Sequence, residues 1–297
     1  MRVKQSTSRK IFILSIAAVF LCSIATAAGD WPTFGHDPQR SGWAAGETGL
    51  TPASAGGLVL KWKVHLKNAP RSLTSLTAPI VADAVGTTLG VRTVVYVGGS
   101  SDRLFALDAA SGKLLWSHDF ETQALPKDAT MWLCPNNLNA TPVANPRSNT
   151  IFAIASDGKL WGLDLGTGAV KFGPVQFVPP YSKNWSLNLH GSTVYTSISQ
   201  GCGGAQSGIY SVNLSAPRRP VVHALFDSPG GSGGIWGRGG PVIGLDGHVY
   251  AATGDGPFDP AAGDFGSSLI AASLSRLRIL HYYAPSNFRY VTSYDLD

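Results

Sequence analysis

Apolar and polar residues alternate along this chain in short runs that are broken by Gly, Pro, Asp and Asn. A two-residue period turns one face of each run towards a core, which predicts β-strands; a helix would repeat every 3.6 residues. The runs fall into four self-similar units. The first contains LTAPIVAD (76–83), TVVYVGGSS (93–101), RLFALDAASG (103–112) and KLLWSHDF (113–120). The second reads NATPVANP, TIFAIASD, KLWGLDLGTG and AVKFGPVQF between Asn139 and Phe177. The third reads WSLNLHG, STVYTSISQ, GIYSVNLS and RPVVHALF between Trp185 and Phe226. The fourth reads RGGPVIGLDG, HVYAATGDG, SSLIAASLS and LRILHYYAP between Arg238 and Pro285. Tyr96, Phe152, Tyr195 and Tyr250 hold the same place in successive units, 56, 43 and 55 residues apart. Asp157-Gly158 and Asp246-Gly247 sit between alternating runs, where hairpin turns need positive φ. Four short strands per unit at this period predict an all-β fold, a β-propeller of four-stranded antiparallel blades. The blades are expected at about 72–121, 130–178, 183–227 and 235–285, after a lead-in and outer strand at 29–68. A two-sheet sandwich would not repeat one pair of hairpins four times.

Composition narrows the class. With 44% hydrophobic residues, 14% charged, 8 Trp and 12 Phe, the chain is neither disordered nor a coiled coil. Its 35 Gly show no three-residue period and fit many tight turns. The net charge of +5 is concentrated at the start, where Arg2, Lys4, Arg9 and Lys10 precede the apolar run Ile11–Ile24 and the small residues Ala25-Thr26-Ala27-Ala28. This reads as a secretory signal peptide over 1–28, with an uncleaved N-terminal anchor as the alternative. Its removal takes away four basic and no acidic residues, so the mature chain is nearly neutral and a nucleic-acid partner loses its support. A periplasmic or secreted protein without a further transmembrane span is expected.

Cys22 lies in the leader behind Leu21, where a lipoprotein site wants a small residue. Cys134 precedes the innermost strand of the second blade, and Cys202 follows the second strand of the third. With strands running up and down, both connections lie on one face of neighbouring blades, so in an exported protein a Cys134–Cys202 disulfide is expected, with two separate thiols as the alternative. There is no C-x-x-C-H haem site, H-E-x-x-H zinc motif or P-loop, and Asp255, Asp259 and Asp264 lack EF-hand spacing.

Several segments resemble the PQQ-like (quinoprotein alcohol dehydrogenase-like) β-propeller repeat family. ALDAASGKLLW (106–116) is similar to its A-x-D-x-x-T-G-x-x-x-W docking motif, with Ser111 for Thr. GLDLGTGAVKF (162–172) matches more loosely, with Phe172 for Trp. The resemblance implies structural docking roles for Asp108, Gly112, Trp116, Asp164 and Gly168. DWPTFGHDPQRSGW (30–43) and GLVLKWKVHL (57–66) look like the start of the dehydrogenases, whose first outer strand closes the ring. That family usually has eight blades. Four present here imply an N-terminal portion of such a ring, with 286–297 as the start of a next blade; a half-propeller that dimerises is the alternative.

The resemblance also points to a cofactor. Trp236-Gly237 matches the indole floor beneath pyrroloquinoline quinone (PQQ), and Asp255 in Thr253-Gly254-Asp255-Gly256 matches a calcium-ligating Asn. A large indole face suits a planar quinone, and a carboxylate suits the hard calcium ion. Without a cofactor, the same residues would be a packing Trp and a turn-capping Asp. Other family features are missing. Leu133-Cys134 replaces a Cys pair, Asn139 stands where an Arg is expected, Leu76 replaces an acidic residue, and residues 197–208 offer no metal-ligating Glu. The family's catalytic Asp would fall beyond Asp297, so the catalytic residues are unassigned. Two functions follow as expectations: an exported quinoprotein-type oxidoreductase acting on an alcohol or sugar of unknown identity, or a non-catalytic scaffold for an envelope protein.

Overall fold

The computed structural model describes residues 29–68, 75–122, 134, 140–216, 218–229 and 233–294. The leader, Leu133, Asn139 and residues 295–297 therefore lie outside the described residues. Among the described residues, no helix is long and apolar enough to cross a membrane.

Four antiparallel sheets follow one another in chain order. Blade 1 is β1 (Ile80–Thr87), β2 (Gly90–Gly99), β3 (Arg103–Asp108) and β4 (Leu114–Asp119). Blade 2 is β5 (Val143–Asn145), β6 (Thr150–Ile154), β7 (Lys159–Asp164) and β8 (Val170–Gln176). Blade 3 comprises β9 (Lys183–Asn184) and β10 (Asn188–His190), both paired with β11 (Thr193–Ser199), then β12 (Gly208–Asn213) and β13 (Val221–Phe226). Blade 4 is β14 (Val242–Ile243), β15 (His248–Ala252), β18 (Leu269–Ser273) and β19 (Ile279–Tyr283). Between its second and third strands a small hairpin is inserted, β16 (Phe258–Asp259) with β17 (Asp264–Phe265). The repeat is real at the level of register. Tyr96 faces Ile80, Phe152 faces Val143, Tyr195 faces Asn188 and Tyr250 faces Val242, always second strand against first.

The cores lie between blades. One joins Ile80, Tyr96 and Trp116 of blade 1 to Ile151 and Leu163 of blade 2. The next joins Phe152 and Leu160 to Val194, Ile198 and Val212. The third joins Tyr195 and Ile209 to Ile243, Val249 and Ile270. Each blade thus buries one face against its successor, and this explains an exception to the repeat. Tyr96 and Tyr195 are fully buried, whereas Tyr250 is 37% exposed because no described blade follows it.

The docking turns show why the motif needs its residue types. In blade 1 the Asp108 carboxylate accepts from the Ser111 N–H and hydroxyl at 2.7 and 2.8 Å. In blade 2 Asp164 accepts from Thr167 in the same way, at 3.0 Å for both bonds. Gly112 and Gly168 close these turns at φ 71°, a conformation that costs glycine little. The neighbouring blade uses the bare glycine face. Trp116 lies against Gly168, where a Cβ would come within 2.6 Å of the indole, and its Nε1 donates to the Leu165 carbonyl at 2.9 Å. Trp62 repeats this on Gly112 and donates to Ala109 at 2.9 Å. Phe172 replaces the third Trp where blade 3 has no such glycine, and it packs partly buried against the blade 2–3 core. Trp and Gly are thus exchanged as a pair across a blade boundary.

Two segments differ from the sequence expectation, and one turn of blade 4 departs from the docking pattern. The outer strand expected around Trp62 forms no strand; Leu58, Val59 and Leu60 are exposed and no described strand pairs with them. Among the described residues no inner strands lie beside this segment, so it has no ladder to complete. Residues Phe288–Ser293, expected to begin a further blade, form a short helix. In blade 4, Leu277 takes the turn position of Gly112 and Gly168 with φ 51°, held by its N–H on the Ser273 carbonyl at 3.0 Å and by burial.

The lead-in segment has a role the repeat did not reveal. Trp31 bridges Val81 of blade 1, and the Ala144 N–H of blade 2 donates to the Pro32 carbonyl at 2.7 Å. Thr33 Oγ1 and Arg40 Nη2 donate to the Leu187 carbonyl at the entrance to blade 3, at 2.7 and 2.9 Å. Ile243 of blade 4 donates its N–H to the Pro38 carbonyl and accepts from Gln39 Nε2, both at 2.9 Å. This strap touches the innermost region of all four blades.

Candidate functional site

The start of β14 and the end of β15 lie at one end of blade 4, because the two strands pair antiparallel. There the loop 233–240 meets the Thr253-Gly254-Asp255-Gly256 turn, with the Gly254 N–H donating to the Gly234 carbonyl at 2.7 Å. Backbones approach closely at this point. A Cβ on Gly256 would lie 3.3 Å from Gly233 Cα, and one on Gly266 would lie 2.3 Å from the Gly256 carbonyl carbon. Thr253 pins the turn, donating to the Phe265 carbonyl at 2.5 Å and accepting from the Ser268 N–H at 2.9 Å.

Trp236 projects from this loop with 39% of its surface exposed, unusual for an indole in a packed turn. Gly237 follows at φ 109°, with open space where a Cβ would stand. On the blade 3 side, Gly234 packs against Ser199 and the Trp236 Nε1, so a side chain there would collide with the indole at 2.9 Å. Trp185 lies 6.3 Å from Trp236, centroid to centroid, and is oriented by its Nε1–H bond to Ser199 Oγ at 3.0 Å. Lys183 Nζ sits over both rings, 5.3 Å from Trp185 and 5.0 Å from Trp236.

Two acidic residues border the loop that carries Trp236. Asp255 is half-buried in its turn. Asp227, at the end of β13, is fully buried; its Oδ2 accepts from the Gly234 N–H at 2.7 Å. A Cβ on Gly233 would lie 2.5 Å from Asp227 Oδ2 and 3.8 Å from the Asp255 carbonyl oxygen, so both acidic residues border the same loop. Burial pushes the Asp227 carboxyl up to about 6, against the opposing hydrogen bond from Gly234. An acid with a raised folded-state value stabilises the fold when protonated. That contribution is complete below about pH 4 and is lost as pH rises through about 6. Asp227→Asn is therefore expected to raise stability at pH 7 by about 2 kcal/mol and to change little at pH 4. Urea unfolding of both proteins at the two pH values, without added divalent cations, checks this; an equal effect at both would contradict it.

The sequence-predicted residues are thus partly brought together. Trp236, Gly237 and Asp255 share one loop cluster. Cys134 and Cys202 are joined by a disulfide, Cα–Cα 5.4 Å, linking connections of blades 2 and 3. The docking residues Asp108, Gly112, Trp116, Asp164 and Gly168 lie at blade boundaries, away from that cluster. Leu76 bridges Gly99 with 41% of its surface exposed. Lys183, Trp185 and Asp227 carry no motif in the sequence, although only Asn184 separates Lys183 from Trp185 in YSKNWS.

A planar aromatic group fits this surface, which offers an exposed indole, open space at Gly237 and close glycine backbones. A calcium shell is less complete. Asp255 and Asp227 supply hard oxygen donors, but among the described residues no group of three or more His, Cys, Asp or Glu could hold a metal.

Residues 31–178 match the PQQ family, described as the β-propeller domain of glucose/ethanol/alcohol dehydrogenases. This part of the chain belongs to the PQQ-like β-propeller family. The match takes in the lead-in strap and blades 1 and 2; the Trp236 cluster lies beyond it. A 1-butanol dehydrogenase (cytochrome c) of Thauera butanivorans is 28% identical over 166 residues, 56% of this chain and 21% of that protein. The glycerol dehydrogenase large subunit of Gluconobacter oxydans is 26% identical over 152 residues, 49% of this chain and 19% of the relative. The crystal structure of quinohemoprotein alcohol dehydrogenase from Comamonas testosteroni superposes with a TM-score of 0.60 at 17% identity. It covers 86% of this chain and 41% of that one, a likeness of fold. The chain matches about a fifth of the length of each curated relative.

Proposed function

We propose that this protein is an exported quinoprotein-type oxidoreductase segment whose loop cluster in blade 4 receives PQQ, and that the whole protein oxidises an alcohol or sugar. The observation that carries the reading is the exposed Trp236 indole beside Gly237, on a fold whose first half belongs to the PQQ family. The names of the two curated relatives favour alcohols as the substrate class. When bound, PQQ would supply the two-electron acceptor that an alcohol dehydrogenase needs.

This chain's own residues would do the binding. Trp236 would give one face of the quinone a stacking surface, and Trp185 would fix the adjacent wall. Gly234 and Gly237 keep that surface clear of side chains. Asp255 would supply a carboxylate to a calcium ion, with Asp227 as a second oxygen donor behind it. The leader at 1–28 would deliver the protein to the periplasm or outside the cell.

Equilibrium dialysis of the purified protein against PQQ, with and without calcium, tests this reading. Retention of the quinone absorbance after desalting is expected, together with its loss in Trp236→Ala. Wild-type protein that is folded and retains no PQQ would overturn the reading and leave a binding scaffold.

A further inference from the structure

Lys183 is the least expected residue near Trp236. It opens β9 and is only 7% exposed, yet among the described residues no carboxylate forms an ion pair with it. Its ammonium instead lies over two indoles, at 5.3 and 5.0 Å. Ring quadrupoles attract a cation, but they do not replace the hydrogen bonds that a buried ammonium loses with water. The local field makes the site still more positive. Burial first, and then the charge of Arg238, weakens the lysine's hold on its proton. Arg238 is fixed nearby, since Ser186 Oγ donates to its carbonyl. The corner therefore combines two cations with two indoles, and Trp236 keeps enough exposed surface for a further planar group. A flat aromatic anion answers both features at once, since its ring can stack and its carboxylate can pair with the ammonium.

We propose that Lys183, clamped between Trp185 and Trp236 with Arg238 beside it, pairs with a carboxylate of a planar aromatic polycarboxylate stacked on Trp236. This rests on the quinone reading and deepens it. PQQ carries three carboxylates, and position 139, where the family resemblance expects an arginine, is Asn. Lys183 brings a positive group to the site from a different blade strand.

The test is a tryptophan-fluorescence titration with two probes, PQQ and its uncharged trimethyl ester, on wild type, Lys183→Gln and Lys183→Arg. Lys183→Gln is expected to weaken PQQ binding about ten- to a hundred-fold and to leave ester binding unchanged. Lys183→Arg should keep most of the PQQ affinity, which also shows that the position tolerates substitution. Equal loss for both probes would mean that Lys183 only shapes the pocket, and would overturn the pairing. Undiminished PQQ binding by a folded Lys183→Gln protein would overturn it as well, while leaving the quinone reading standing. A wild type that binds neither probe overturns both.

Discussion

Replacing Trp116 by alanine is expected to cost about 3–5 kcal/mol of stability and to lower Tm by about 10 °C. Trp116 is 9% exposed and belongs to the core between blades 1 and 2. Its removal opens a cavity against Gly168 and takes away one of two donors at the Leu165 carbonyl; the other is Tyr96 Oη, at 2.9 Å. Gly168→Ala should be similarly severe, because its Cβ would enter the indole and because φ 71° disfavours a side chain. The double variant should cost less than the two single changes together, since both act on one contact. Trp62→Ala is the control. Trp62 makes the same turn contact on Gly112 but is only half-buried, so a loss of about 1–2 kcal/mol is expected. Equal losses at Trp62 and Trp116 would show that the turn contact alone, and not the inter-blade core, carries the effect.

Breaking the Cys134–Cys202 disulfide is expected to remove about 4 kcal/mol. The two residues are 68 positions apart, and closing a loop of that length in the unfolded chain carries a large entropy cost. The bond also ties blade 2 to blade 3 on the face that bears the Trp236 cluster. Both cysteines are buried, so a reductant acts mainly on opened molecules. Thermal unfolding with and without a phosphine reductant gives the measurement. Wild type should lose stability in reductant, while the Cys134→Ser/Cys202→Ser variant should be low in both conditions and insensitive. A wild type indifferent to reductant would contradict the linkage.

The blade repeat was legible because the same physical problem recurs four times. Tyr96, Phe152, Tyr195 and Tyr250 mark it, since each second strand needs a large side chain to meet the next blade. The docking turns were legible where Asp, Ser or Thr, and Gly solve the turn locally. Leu277 shows the limit. Tertiary packing holds a leucine in a conformation for which the sequence pattern demands glycine, so no motif is visible. The role of the strap at residues 31–40 is not legible in the sequence, because its partners Val81, Ala144, Leu187 and Ile243 are spread over all four blades.

The site divides in the same way. Trp236-Gly237 and Asp255 are visible as short motifs in two loops that flank the first two strands of one blade. Lys183 and Asp227 became meaningful only when folding brought β9 and the end of β13 against that loop. A lysine in a polar, aromatic stretch resembles any strand-edge residue until its depth of burial is known. An Asp before Ser-Pro-Gly likewise resembles an ordinary turn residue.

The central claim is that the blade 4 cluster is a quinone site. A crystal structure of the protein grown with PQQ and calcium tests it most directly. Planar density stacked on the Trp236 indole is expected, with a carboxylate turned towards Lys183. Ordered PQQ bound elsewhere, or a bare Trp236 surface at saturating PQQ, would contradict it.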